Sequence, residues 1–557
     1  MAQTPLLTQS GSVESNLVLM FDDSLSMVAQ FIYQYGGQDN GYGRTGPGTV
    51  AAAAACPTTS PASTGVSCAG TSGNNYPSNP SITVTGTYNA PPATWYWELS
   101  PDVNGLYYDP KVRYNPRVNA TGTFTTSGTT NTTAFSVYFY RNASGNNVLW
   151  PGSGNNPTAS ASYFGATVLT PYTPASSLLA DDAQPGLTYP RSVATGTGPF
   201  PKFLNRTDCT GTNVLGANCT LANERQNYAN WKKYHSNRMD SAKTGLGYAF
   251  QNMTPSIRLG WSTINNLKSS NTLDSGVGLY TQAQKNAFYN WLYALDTNSG
   301  GTPLHFALDN VGRYFSRSDN LGPWANTPIT SSRGISTLAT STTDTLAVRA
   351  DQYSCRRSFA MLTTDGYYND GSGGSSPFSG IGNVDNTSAG PITGTTATGS
   401  TLSFSFGAGT RPYADNQSNT LGDVAMKYWI TDLRTDLDNN VKQIAATVIN
   451  GVTTTVANPS FWQNMSFYAV GLGVNGTLAQ TATTLASLTS GGTSWPAVGA
   501  EDVTAVDDMW HATINGRGRV LSAKNADTLS DAVEGMLADI SRNTASQSGV
   551  AASSAGL

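Results

Sequence analysis

Charge is what this 557-residue chain has least of. Only 11% of its residues are charged, as 34 acidic and 30 basic side chains with a net charge of −4. No run of Lys or Arg appears and the isoelectric point is near 5.4, which excludes the basic footprint that nucleic acid demands. Long apolar runs are also missing. Runs such as Leu17 to Phe21 fall far short of the ~20 residues of a membrane-spanning helix, so no membrane span is expected. Met1-Ala2-Gln3 has neither the charged start nor the apolar core of a signal peptide. The chain is therefore read as a mature secreted form with Met1 added at the cleavage point. Histidine is limited to His235, His305 and His511, and no Cys-x-x-Cys, His-Glu-x-x-His, Gly-x-Ser-x-Gly or P-loop phrase occurs. Thiolate zinc sites and the common hydrolase and nucleotidase motifs are thereby removed.

What is abundant is Gly, Ser, Thr and Asn, together with 27 Tyr and 11 Trp. That mixture is too aromatic for disorder and suits an extracellular surface wetted by hydroxyls and amides. The length exceeds one ordinary core, so one large domain with insertions, or two to three domains, is expected. Of the five cysteines, Cys56 with Cys68 and Cys209 with Cys219 form short-range couples in polar loop segments, where stapling disulfides belong in an oxidising compartment. Free thiols of a reducing compartment are the competing reading. Cys355 is left over, either as a buried thiol or as part of a different pairing.

Hydrophobic patterning alternates between strand and helix. Leu17 to Phe21 reads as a strand buried on both faces. Between residues 28 and 227, stretches such as Ser81 to Asn89 and Thr133 to Tyr140 alternate apolar and polar residues, as half-exposed antiparallel strands do. Helical spacing returns over Tyr228 to Asn252; Ser256 to Ile264 is a strand, and Gln282 to Leu295 and Leu304 to Tyr314 are helices. Ser358 to Leu362 is a second buried strand. A Gly/Ser/Thr-rich insertion follows from 369 to 419, then a helix over Thr420 to Leu437. Phe467 to Leu472 and Arg519 to Leu521 are strands, and Thr528 is the expected N-cap of a closing helix through Ile540. Strands alternating with helices predict an α/β fold with a doubly wound, mostly parallel sheet, which binds ligands at the carboxyl ends of its strands.

Three loops at those ends carry oxygen. Asp22-Asp23-Ser24-Leu25-Ser26 follows the first strand, and a tight turn points Asp22, Ser24 and Ser26 the same way. Gly300-Gly301-Thr302-Pro303-Leu304 places a hydroxyl at the mouth of a helix. Thr364-Asp365-Gly366 ends a buried strand with a carboxylate. Asp22, Ser24, Ser26, Thr302 and Asp365 together make an all-oxygen shell, the kind that hard divalent cations prefer: Mg²⁺ first, with Mn²⁺ or Ca²⁺ as alternatives. Taken singly, each loop is equally an N-capping turn or an ordinary turn.

The three phrases resemble the metal-ion-dependent adhesion site of von Willebrand factor A (vWA) domains. Further phrases without a metal role are Leu106-Tyr107-Tyr108-Asp109-Pro110, Tyr114-Asn115-Pro116, Asn230-Trp231-Lys232-Lys233-Tyr234 with Arg238-Met239, Asp423 to Trp429 with Asp432-Leu433-Arg434, and Asp507 to Ala512 with Asn515-Gly516-Arg517-Gly518. Together they are similar to the PilC/PilY family of type IV pilus tip adhesins, from about Leu17 to Ile540. The resemblance implies a Rossmann-like vWA domain made of residues 1–27 and 228–541, interrupted by a β-rich insertion at 28–227. It implies Mg²⁺ held directly by Ser24, Ser26 and Thr302, with Asp22 and Asp365 acting directly or through water. It also implies an acidic ligand group completing the shell, movement of the last helix on engagement, and residues 542–557 as a linker to a β-propeller outside this chain. Leu25 replaces the commoner Gly of the turn, and Asp23 adds a second carboxylate, read as solvated.

The resulting expectation is a non-enzymatic adhesin, exported through the periplasm to the pilus tip or outer cell surface. Its expected partners are minor pilins and a host or abiotic surface ligand offering a carboxylate. A structural or carbohydrate-binding surface protein with a purely structural metal is the alternative. His511 beside Trp510 reads as a packed, hydrogen-bonded residue and His305 as a helix-surface or core imidazole. Trp95-Tyr96-Trp97 reads equally as a surface-binding face and as core.

Overall fold

The computed structural model describes residues 13–28, most of 105–128, 205–209 and, with interruptions of which 335–351 is the longest, 217–545. Within 29–104 and 129–204 it describes only short strand pairs. The main strands are β1 (Ser15–Phe21), β2 (Ile257–Thr263), β3 (Ser275–Leu279), β4 (Ser358–Thr364), β5 (Ala389–Thr395), β6 (Thr401–Phe406), β7 (Met465–Leu472) and β8 (Val520–Ala523). The helices are α1 (Leu221–Tyr234), α2 (Arg238–Gln251), α3 (Ile264–Ser270), α4 (Gln282–Ala294), α5 (Leu304–Phe315), α6 (Leu421–Ile430), α7 (Ala482–Ser490), α8 (Thr504–Asn515) and α9 (Ala526–Ala545).

Every residue of β1, β2, β4 and β7 is buried, as the unbroken apolar runs require of strands covered on both faces. They assemble in the order β3-β2-β1-β4-β7-β8. All neighbours pair in parallel except the edge strand β3, which runs antiparallel to β2. Successive side chains of β1 point to opposite faces. Leu17, Leu19 and Phe21 join Leu246, Phe250, Phe288, Leu529 and Val533 of α2, α4 and α9. Val18 and Met20 join Leu308, Val311, Val424 and Met509 of α5, α6 and α8. The result is a mostly parallel α/β sheet with helices on both faces.

Several elements depart from expectation. The helix read over Tyr228 to Asn252 is two, because the Asn237 side chain accepts from the Asp240 backbone and restarts the chain as α2. The helix read to Leu437 ends at Ile430. Thr528 is not the cap of α9: its backbone donates to Asn525 Oδ1 at 2.9 Å, and its hydroxyl accepts from the Asn525 backbone at 3.0 Å. The segment 369–419 contains the antiparallel hairpin β5–β6, packed over Met426, Trp429 and Trp462. The reading of Ser81 to Asn89 lies outside the described residues; of Thr133 to Tyr140, only Tyr138 to Tyr140 fall in a described strand, Tyr138–Arg141, paired with Asn147–Leu149. A disulfide joins Cys209 and Cys219, Cys355 is a free, half-buried thiol, and Cys56 and Cys68 lie outside the described residues. Among the described residues no helix is long and apolar enough to cross a membrane.

Candidate metal centre

Parallel pairing brings the first and third loops together. Phe21 of β1 lies opposite Thr363 of β4, and the Asp22 backbone donates to Thr363 O at 2.9 Å, so Asp22 and Asp365 leave adjacent strands side by side. Both are fully buried. Asp22 Oδ1 accepts from the Ser24 backbone at 2.9 Å, and Oδ2 from the Thr364 hydroxyl at 2.6 Å. Burial, reinforced by the Asp365 carboxylate, pushes the Asp22 carboxyl up to about 7. Asp365 Oδ2 accepts from Arg238 Nη1 at 2.8 Å, while Asp365 Oδ1 is buried with no hydrogen-bond partner. Ser24 Oγ and Ser26 Oγ are 2.8 Å apart.

The second loop is fastened to both others by amide side chains. Asn265 Nδ2 donates to Asp23 Oδ1 at 2.9 Å and to Gly301 O at 3.0 Å. The Asn298 backbone donates to Asp23 O at 2.5 Å. The Thr302 backbone donates to Asn369 Oδ1 at 2.6 Å, and the Asn369 backbone returns a bond to Thr302 O at 3.1 Å. Thr302 itself is buried. Gly301 and Gly366 take positive φ of 82° and 91°, which glycine alone adopts without strain.

Asp23 corrects the sequence reading. It is not solvated: it is 4% exposed, and Asn265 holds it through both its backbone and its amide. It fastens the first loop to the second. His305 is a buried imidazole on α5, as expected; its Nδ1 pairs with Asp370 and its ring lies edge-on to Tyr368. His511 is buried too and stacks on Trp495 at 4.3 Å between centroids. Sequence reasoning missed Arg238, Asn265 and Asn369. Arg238 stood in a recognisable phrase, but nothing there placed it against Asp365, and no local signal distinguishes these two Asn from others in an Asn-rich chain.

The residues fit a hard cation. Two buried carboxylates leave adjacent strands, one oxygen has no donor, and besides Arg238 the groups beside them include the hydroxyls of Ser24, Ser26 and Thr364, the donor chemistry Mg²⁺ takes. Fold and site together define a doubly wound α/β protein with an oxygen-rich loop cluster at the carboxyl end of its sheet. Three curated relatives specify it further, each named type IV pilus biogenesis factor PilY1 from Pseudomonas aeruginosa. That of strain PAO1 is 29% identical over 362 residues, covering 61% of this chain and 28% of the relative. Those of strains PAK and UCBPP-PA14 are 30% and 32% identical, covering 58% and 59% of this chain and 26% and 27% of their own lengths. The chain is similar to these pilus biogenesis factors over about three fifths of its own length, and it spans about a quarter of theirs. No protein-family model matches it, and no solved structure does.

Proposed function

We propose that this chain is the ligand-gripping region of a type IV pilus tip adhesin. In this reading the sheet is a vWA domain, residues 28–227 are a β-rich insertion carrying surface contacts, and Asp22, Ser24, Ser26, Thr302 and Asp365 hold Mg²⁺. The observation that carries it is Asp365 Oδ1, buried and without a donor, beside an Asp22 that burial and Asp365 hold partly protonated. Arg238 gives this buried pair a single positive charge, through Asp365 Oδ2, and a divalent ion would balance the rest. When bound, the ion supplies an electrophilic position for an acidic group of a pilin or a surface. The chain's own residues do the positioning: Asn265 and Asn369 fix the loops, and Arg238 orients Asp365. The relatives are named for pilus biogenesis, not for a reaction, and an extracellular position at the pilus tip follows from the same reading.

Calorimetric titration of Mg²⁺ and Mn²⁺ into the chain tests this. One site is expected, at least tenfold weaker in Ser24→Ala with unchanged circular dichroism. An absence of binding heat in the unmodified chain removes the proposal. If EDTA unfolds the protein instead of only releasing its ligand, the metal is structural.

A further inference from the structure

A second polar cluster lies where the chain flanking hairpin β5–β6 meets α6 and α8, and it shares no residue with the first centre. Asp385, Asp415 and His511 are at most 9% exposed, and one ligand atom from each lies within 4.8 Å of the others. His511 Nε2 is 2.5 Å from Tyr413 O. A carbonyl only accepts, so Nε2 carries the proton and Nδ1 presents a lone pair. That lone pair faces Asp415 Oδ2 at 3.6 Å, a second electron-rich atom. Asp385 Oδ2 lies 3.5 Å from His511 Nε2 and accepts from Asn515 Nδ2 at 3.0 Å. Its Oδ1 accepts from the Asp415 backbone at 3.2 Å. Asp415 itself accepts from the Gln417 backbone at 2.7 Å.

Asp415 thus faces the imidazole lone pair and Asp385 closes the cluster beside Nε2, with no Lys or Arg among their ion pairs. Asn515 gives the independent sign of a ligand. It is fully buried, its amide nitrogen donates to Asp385 Oδ2 and Gly422 O, and its Oδ1 has no partner. Turning that amide, whose nitrogen and oxygen ends are nearly isosteric, would give up its bonds to Asp385 Oδ2 and Gly422 O and bring Oδ1 beside Asp385 as a further oxygen donor. The ring is held in place from its faces: Trp495 stacks on it with 20° between planes, and a Cβ at Gly422 would meet Nδ1 at 2.9 Å.

We propose that Asp385, Asp415 and His511 bind a divalent transition metal ion of the zinc and manganese class, with Asn515 Oδ1 available as a fourth ligand. One nitrogen and two carboxylates suit such borderline ions better than Mg²⁺. Donors held about 2.0–2.1 Å from an ion lie roughly 3.4 Å apart at the tetrahedral angle, close to the 3.6 Å between Nδ1 and Asp415 Oδ2. Such an ion would tie the chain before β5 and after β6 to α8, making the hairpin a fixed part of the domain.

The test titrates Zn²⁺, and Co²⁺ as a spectroscopic probe, into the intact chain stripped of metal. The unmodified chain should take up Zn²⁺ with a rise in unfolding temperature and a Co²⁺ visible band. Asp385→Asn and His511→Gln should each weaken this binding at least tenfold. Ser24→Ala, which disables the first centre, should leave it intact. Should His511→Gln fail to fold, the near-isosteric Asp385→Asn decides. The proposal is overturned if the unmodified chain binds no Zn²⁺, if Asp385→Asn binds it equally well, or if Ser24→Ala abolishes it.

Discussion

Position 300 illustrates how little room the first centre leaves around its loops. A Cβ on Gly300 would meet Asn265 Oδ1 at 2.3 Å, and Asn265 is the amide that joins Asp23 to Gly301. Gly300→Ala should therefore displace Asn265, lower stability by about 1–3 kcal/mol and weaken Mg²⁺ binding, read by urea unfolding and calorimetry. An unchanged urea midpoint would mean that the loop yields freely. His235 gives a pH-dependent counterpart. It is buried and its Nε2 pairs with Asn115 O at 2.8 Å. Burial pushes its pKa from 6.5 down to about 4. Between those values the unfolded chain binds a proton that the folded chain refuses. This contribution is thus complete above the upper value and is lost as pH falls toward the lower, at up to ~1.4 kcal/mol per pH unit. In His235→Gln the dependence of the urea midpoint on pH should flatten over that window; a slope equal to that of the unmodified chain would refute the assignment.

At the scale of elements, α6 owes its start to a carboxylate from another helix. Asp508 of α8 accepts from the Leu421 and Gly422 backbones at 2.8 and 2.9 Å and from the Tyr368 hydroxyl at 2.9 Å. The Thr420–Asp423 capping box satisfies the neighbouring donors. Asp508→Ala leaves three buried donors unmet and should cost about 2–4 kcal/mol, with a loss of hydrogen-exchange protection centred on residues 421–424. Retained protection there would show that the helix starts without it. The existence of α6 was legible in its apolar spacing and in Thr420; its end was not. Thr431 leaves the helix in an extended conformation, and Asp432 turns its side chain onto the Arg434 backbone at 3.1 Å, a local alternative to helix that apolar periodicity does not register. Strands β1 and β4 were legible because burial on both faces forces an unbroken apolar run. The carboxylate and hydroxyl positions followed from where those runs stop. The amides that fasten the loops did not, since each comes from an element brought near only by folding.

The whole molecule is stitched together by phrases that stand far apart in the chain. The strip 106–126 precedes α1 by about a hundred residues, yet its backbone supplies the partners of α1, α2 and α4. Trp231 Nε1 donates to Leu106 O at 2.8 Å, Asn227 Nδ2 to Val112 O at 2.8 Å and Asn230 Nδ2 to Tyr114 O at 3.0 Å. The Tyr248 hydroxyl reaches Pro116 O at 2.9 Å and the Tyr293 hydroxyl Val118 O at 2.5 Å. Arg117 pairs with Asp240 at 2.7 Å, and Tyr108 stacks against Tyr114 while meeting Trp231 edge-on. The phrases around Tyr108, Tyr114 and Trp231 are therefore one packed unit, as are those around Asp423 and Asp508, and their residue types follow from mutual contact without any metal. The strip belongs energetically to the α/β core, although it lies within the interval read as an insertion. Replacing 106–126 by a Gly/Ser segment of equal length strands several buried donors at about 1–3 kcal/mol each. The urea midpoint should fall sharply and exchange protection should vanish from α1 first, because α1 has its polar partners on the strip, whereas α2 also packs against α9 through Leu246 and Leu529. If α1 keeps its protection and the midpoint holds, the strip is an ornament on the core and the packing argument fails.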